Sequence, residues 1–211
     1  MAVRFTPEEI RAKYDGFARR YAVVEVPQEL LGVRKLRRRM LRKATGDVLE
    51  VAVGTGANLP HYPAGCRITA VDISPAMLAI AEERARKLDI DATFRVMDVE
   101  ALDFPDESFD TVVSTLSSCT FPDPASALRE MGRVCRGDGR ILLLEHGRSD
   151  REWLGRWQDR REDRHARQLG CHWNREPLEI TRQAGLEVSH YRRTFLGIFQ
   201  EIEAQRPAPL T

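Results

Sequence analysis

The sequence predicts a doubly wound α/β fold: a mostly parallel, seven-stranded sheet with helices on both faces. Three observations carry this expectation. From Gly46 onward, short apolar runs alternate with helical segments. The first run leads into a glycine-rich turn. The second and third end in or beside aspartates. Sequential right-handed crossovers lay such strands side by side. The 211 residues suit one domain with small appendages. A chain of that length buries a core without metal or disulfide support.

Residues 1–45 read as a helical appendage. Pro7 suits a first helical turn, with Glu8 and Glu9 behind it, where negative charge favours the helix dipole. Ile10, Tyr14, Phe17, Ala18 and Tyr21 recur at three- and four-residue steps as an apolar stripe. Pro27 is expected to open a second helix, with Val33, Leu36 and Met40 on one face. That helix carries RKLRRRMLRK. Such a run suits an anionic membrane surface or nucleic acid. With 33 Lys+Arg against 32 Asp+Glu, it is read instead as a solvated face opposite the stripe. The same balance argues against a dedicated nucleic-acid partner.

The α/β domain is expected over residues 46–204, followed by a tail at 205–211. DVLEVAV and CRITAVDI are its first two strands, and the helix SPAMLAIAEERARKL lies behind the second. ATFRVMDV and SFDTVVSTLS follow as strands, then a helix around PASALREMGRVC, then the strand RILLLEH. REWLGRWQDRREDRHARQL is a long polar helix, and REPLEITRQAG a shorter one ending at Gly185. LEVSHYRRTF and LGIFQEIEA are close enough for an antiparallel hairpin at one edge of the sheet.

The four cysteines, Cys66, Cys119, Cys135 and Cys171, form no CxxC pair and show no zinc-ligand spacing with a histidine. Cys171 and His172 are adjacent, which is weak evidence for metal, so no metal is expected. No apolar run reaches the ~18 residues of a membrane span, and the N-terminus lacks a signal-peptide core. The expectation is a cytoplasmic protein with free thiols and no integral membrane contact.

The sharpest signal is Glu50-Val51-Ala52-Val53-Gly54-Thr55-Gly56-Ala57-Asn58. Glycines there let the backbone approach a ligand closely. The segment is neither GxGxxG nor a P-loop. Asp72 ends the second strand, where a carboxylate can accept both hydroxyls of a ribose. Asp98, with Met97 and Val99 around it, suits the exocyclic amine and face of an adenine. Open α/β sheets bind ligands at these carboxyl ends.

These residues resemble class I S-adenosylmethionine-dependent methyltransferases, over about residues 46 to 204. The family's first motif is usually E/D-x-G-x-G-x-G; here Glu50, Gly54 and Gly56 match, and Ala52 stands at the first glycine. VDISPAML resembles the second motif. FPDESFDTVVSTLSSCTFPDP and LREMGRVCRGDGRILLLEH resemble the segments around the fourth and fifth strands. The resemblance implies a Rossmann-like methyltransferase fold that binds S-adenosyl-L-methionine and releases S-adenosyl-L-homocysteine. It implies cofactor contacts from Glu50, Ala52, Gly54, Gly56, Asn58, Asp72, Ile73, Met77, Asp98, Val99 and Thr115. Tyr14 and Tyr21 would come from an N-terminal lid. The LGCHWNRE and LLLEHG segments resemble thiol methyltransferases of the methyltransferase-like group, with bacterial relatives acting on phospholipids or quinones.

The implied function is methyl transfer to a small-molecule acceptor, with a thiol favoured. The acceptor is expected over the fourth and fifth strands, against Leu116, Ser117, Cys119, Trp153, Trp157 and Trp173. His146 and His172 are the candidate bases, because histidine titrates near neutrality. Plainer roles stand beside these: Tyr14 and Tyr21 as a packed stripe, the tryptophans as cover, Cys119 as a small buried hydrophobe. Two other functions stay open. One is a phosphatidylethanolamine N-methyltransferase in peripheral contact with a membrane, and the other a non-catalytic cofactor-binding protein.

Overall fold

The computed structural model describes residues 3–207. Strands β1 (Asp47–Val51), β2 (Arg67–Asp72), β3 (Ala92–Val96), β4 (Phe109–Thr115), β5 (Cys135–His146), β6 (Glu187–Thr194) and β7 (Phe199–Gln205) form one sheet. Its order is β3-β2-β1-β4-β5-β7-β6. The first five strands are parallel. β7 runs antiparallel to β5, and β6 antiparallel to β7. The strand order reverses between β1 and β4, the crevice where doubly wound sheets bind ligands.

Helices α1 (Pro7–Gln28), α2 (Arg34–Leu41), α3 (Pro75–Leu88), α4 (Pro124–Val134), α5 (Glu152–Leu169) and α6 (Pro177–Gln183) accompany the sheet. Successive strand residues point to opposite faces. Leu49, Val112, Ile141 and Leu143 therefore pack with Leu128 and Met131 of α4. Val48, Val113, Leu142 and Leu144 pack with Leu36, Met40 and Leu41 of α2. Ile68 and Ala70 meet Leu78, Ala81 and Ala85 of α3. Both faces are covered, as the alternating sequence pattern requires.

Two boundaries differ from the sequence expectation. Pro27 lies in the last turn of α1 and does not open α2. The break falls at Gly32, whose φ of 120° is open to glycine at little cost. β5 starts at Cys135, well before RILLLEH, and its register with β4 shifts between Phe109 and Thr111.

Candidate active site

The turn after β1 winds left-handed at Ala52 (φ 49°), Gly54 (φ 56°) and Gly56 (φ 77°). A Cβ on Gly54 would meet nothing within 4 Å, whereas one on Gly56 would lie 2.7 Å from Leu59 Cδ1. Gly54 thus faces open space and Gly56 is packed. Ala52 carries a side chain in a conformation that costs ~1–2 kcal/mol for an L-residue. Ala52→Gly is accordingly expected to raise stability by up to ~1 kcal/mol after the added unfolded-state entropy is discounted. Thermal unfolding reads this as a higher Tm, and a lower Tm would contradict the strain.

Asp72 closes β2 with its carboxylate buried. Oδ2 accepts the Gly54 N–H at 2.8 Å, and Oδ1 accepts the Ser74 N–H at 2.9 Å. Burial pushes its pKa up to about 6, against the pull of those N–H groups and with the help of Asp15. Ser74 caps α3 by accepting the Met77 N–H at 3.2 Å. Its hydroxyl donates to Asp15 of α1 at 2.5 Å, and the Ala76 N–H donates to the same oxygen at 3.2 Å. Asp15 therefore ties the N-terminal helix to the start of α3.

Beneath the turn lies a second network. Glu50 is buried and accepts Asn58 Nδ2 at 2.9 Å and the Tyr62 hydroxyl at 2.7 Å. Burial raises its pKa to about 7. Arg37 of α2 donates to Asn58 Oδ1 at 2.9 Å, to Thr115 Oγ1 at 2.5 Å and to Glu29 at 2.8 Å. The guanidinium is thus held in place at the cleft wall.

A cleft of about 860 Å³, counting the space at its mouth, opens over these strand ends. Tyr14, Tyr21, Ala52, Gly54, Asp72, Ile73, Met77, Asp98, Val99, Thr115, Leu116 and Ser117 all line it. Asp98 accepts the Glu100 N–H at 2.9 Å, which fixes the turn after β3. The rings of Tyr14 and Tyr21 meet at 6.2 Å on α1.

The remaining candidates sit elsewhere. Glu50, Gly56 and Asn58 lie below the turn, outside the cleft lining. Cys119, His146 and His172 are also outside it. His172 pairs with Glu162 at 2.6 Å. Trp173 stacks on His165, with centroids 4.0 Å apart, and meets Trp157 at 5.0 Å. Trp153 is 65% exposed. The tryptophans expected near the acceptor therefore form a separate cluster and an exposed surface. Glu145 organises the loop after β4: it accepts the Ser114 hydroxyl at 2.7 Å and the N–H groups of Ser117 and Ser118 at 3.0 and 3.2 Å.

Sequence reasoning missed Arg37 and Asp15. Arg37 was hidden in the basic run. Its step of four from Val33 and three to Met40 puts it on the buried face, which was the available signal. Asp15 neighbours Tyr14 and carried no signal of its own.

Residues 49–143 match the family described as a methyltransferase domain. That segment is a methyltransferase domain. The chain is 42% identical to the phosphatidylethanolamine N-methyltransferase of Cereibacter sphaeroides over 108 residues, 50% of this chain and 53% of that protein. It is 35% identical to the demethylmenaquinone methyltransferase of Renibacterium salmoninarum over 147 residues, 66% and 59% of the two chains. The chain spans about half the length of the curated relatives it matches. A solved complex of the Haloferax volcanii Trm112 methyltransferase activator with a methyltransferase matches with a TM-score of 0.75 and 19% identity, covering 96% of this chain and 99% of that one. That likeness concerns the methyltransferase fold alone. Among the described residues, no helix is long and apolar enough to cross a membrane.

Proposed function

We propose that the methyltransferase domain binds S-adenosyl-L-methionine in the cleft and methylates a small-molecule thiol. The observation that carries the cofactor reading is the buried Asp72 carboxylate beside the open face of Gly54. Its remaining lone pairs would accept two ribose hydroxyls. Asp98 and Val99 would take the adenine, with Ile73 and Met77 against it. Arg37 would hold the carboxylate of the methionyl end, and Glu50 keeps Asn58 and the turn in shape. Tyr14 and Tyr21 would cover the site. When bound, the cofactor supplies an activated methyl group and leaves as S-adenosyl-L-homocysteine. The chain then has mainly to align the acceptor and exclude water.

The acceptor reading rests on what surrounds that end of the cleft. Leu116, Ser117, Thr120, Phe121 and Pro122 supply apolar groups and hydroxyls. Among the described residues, the lining includes no histidine, lysine or glutamate, and its carboxylates, Asp72 and Asp98, are the ones assigned to the cofactor. An alcohol acceptor would need a base there to lose its proton, and an ammonium would have to shed its proton before attack. A thiol with a pKa of ~8.5 brings its own fraction of thiolate at neutral pH. A second reading, a phospholipid amine at a membrane surface, is favoured by exposed Trp153, Phe195 and Leu196 and by the phosphatidylethanolamine N-methyltransferase relative.

A panel of thiols, amines, phenols and phosphatidylethanolamine vesicles, assayed for adenosylhomocysteine release, separates these. Thiol-dependent release supports the proposal. Release with vesicles alone, together with sedimentation on anionic vesicles, supports the second reading. Tight cofactor binding without turnover identifies a cofactor sensor.

The cofactor seat also has a pH signature. Asp72 must be charged to accept hydroxyls well, and its carboxyl titrates at about 6. Affinity is therefore expected to fall as pH drops through that value, by ~10-fold at one unit below it. Calorimetric titrations at pH 5 and 7.5 measure this. A flat profile in the wild type, matching that of Asp72→Asn, would contradict the ribose role.

A further inference from the structure

Cys119, His146 and Cys171 come from the loop after β4, the tip of β5 and the loop after α5. Their donor atoms, two thiol sulfurs and an imidazole nitrogen, all lie within 4.8 Å of one another. Cys171 Sγ is 3.5 Å from His146 Nε2. The backbone holds this arrangement. His172 N–H donates to the Cys119 carbonyl at 2.8 Å. The Arg175 guanidinium ties the carbonyls of Ser118 and Phe121.

Thiol–thiol and thiol–imidazole hydrogen bonds link the three groups, so each donor atom already faces the other two. The Cys119 thiol also donates weakly to the Leu116 carbonyl, at 3.9 Å. Tetrahedral zinc, with Zn–S of ~2.3 Å and Zn–N of ~2.0 Å, sets its ligands ~3.5–3.8 Å apart. The Cys171–His146 separation already has that spacing.

We infer that Cys119, His146 and Cys171 form a three-ligand site for a soft divalent cation of the zinc class. The fourth position of a tetrahedral ion is then left for water or an exogenous thiol. Two thiolates and a neutral imidazole balance a dication, so the filled cluster carries no net charge. Binding releases the two thiol protons to solvent. The inference stands on the cluster and not on the identity of the methyl acceptor. A Cys119–Cys171 disulfide, the competing use of the two thiols, would leave His146 without a part in it.

The test uses the whole chain, reduced and stripped with a chelator. Zn²⁺ alone is titrated against a chromophoric chelator, and Co²⁺ is followed by visible absorption. One equivalent should bind, and cobalt should show tetrahedral bands with thiolate-to-metal charge transfer. Changes outside the ligand shell alone cost ~10–100-fold in metal affinity, so Cys119→Ser and Cys171→Ser should each weaken zinc by about 100-fold or more. Cys66→Ser and Cys135→Ala, outside the cluster, should keep it. Wild-type cobalt without thiolate charge transfer overturns the site, and this reading does not depend on the variants folding. Zinc affinity equal in wild type and Cys119→Ser also overturns it. A Cys119–Cys171 disulfide in the chain as isolated from cells replaces it with a redox pair.

Discussion

Gly54→Val is expected to abolish adenosylmethionine binding while the chain stays folded. A Cβ there meets no protein atom within 4 Å, so the added side chain enters the open cleft. Its positive φ costs ~1–2 kcal/mol in an L-residue. That lowers Tm by only several degrees in a chain of this size. Affinity should fall by more than ~100-fold, since the ligand's closest approach to backbone is blocked. Gly56→Val is the contrasting variant. Its Cβ would lie 2.7 Å from Leu59 Cδ1 and 3.2 Å from Ala81. Overpacking and backbone strain together should cost ~3 kcal/mol or more. Calorimetry and thermal melts on the pair distinguish a ligand-facing glycine from a packing glycine. Normal binding by Gly54→Val would place the cofactor elsewhere.

Asp72→Ala is expected to weaken cofactor binding by about 100-fold or more. Two hydroxyls would lose a charged acceptor, at ~1.5–3 kcal/mol each. The N–H groups of Gly54 and Ser74 would also lose their partner, loosening the turn and the start of α3. Asp72→Asn keeps one acceptor oxygen and should fall between the two. Unchanged affinity in folded Asp72→Ala, measured by calorimetry, would contradict the ribose assignment.

The fold was legible because its signals are local. β1 and β5 carry apolar residues on both faces, and the glycine turn marks the end of β1, where the cleft opens. The seat of β7 between β5 and β6 was less legible, since strand order depends on pairings far apart in sequence. The break at Gly32 was missed because Pro27 looked like the stronger punctuation. Asp72, Gly54 and Asp98 line the cleft, and their places at strand tips were legible in the sequence. Arg37 was not, because a run of basic residues conceals which one turns inward. The Cys119, His146 and Cys171 cluster has no spacing signature, because three separate loops assemble it. Trp153 and Trp157 do not line the cleft: a pattern four residues apart says which helix face they share, not what that face meets.

The most direct test of the cofactor seat is a crystal structure of the chain with S-adenosyl-L-homocysteine. The expected result has both ribose hydroxyls on the Asp72 carboxylate, the adenine beside Asp98 and Val99, and the homocysteine carboxylate at Arg37. Ligand density away from the Gly54 turn, or a ribose out of reach of Asp72, would contradict it.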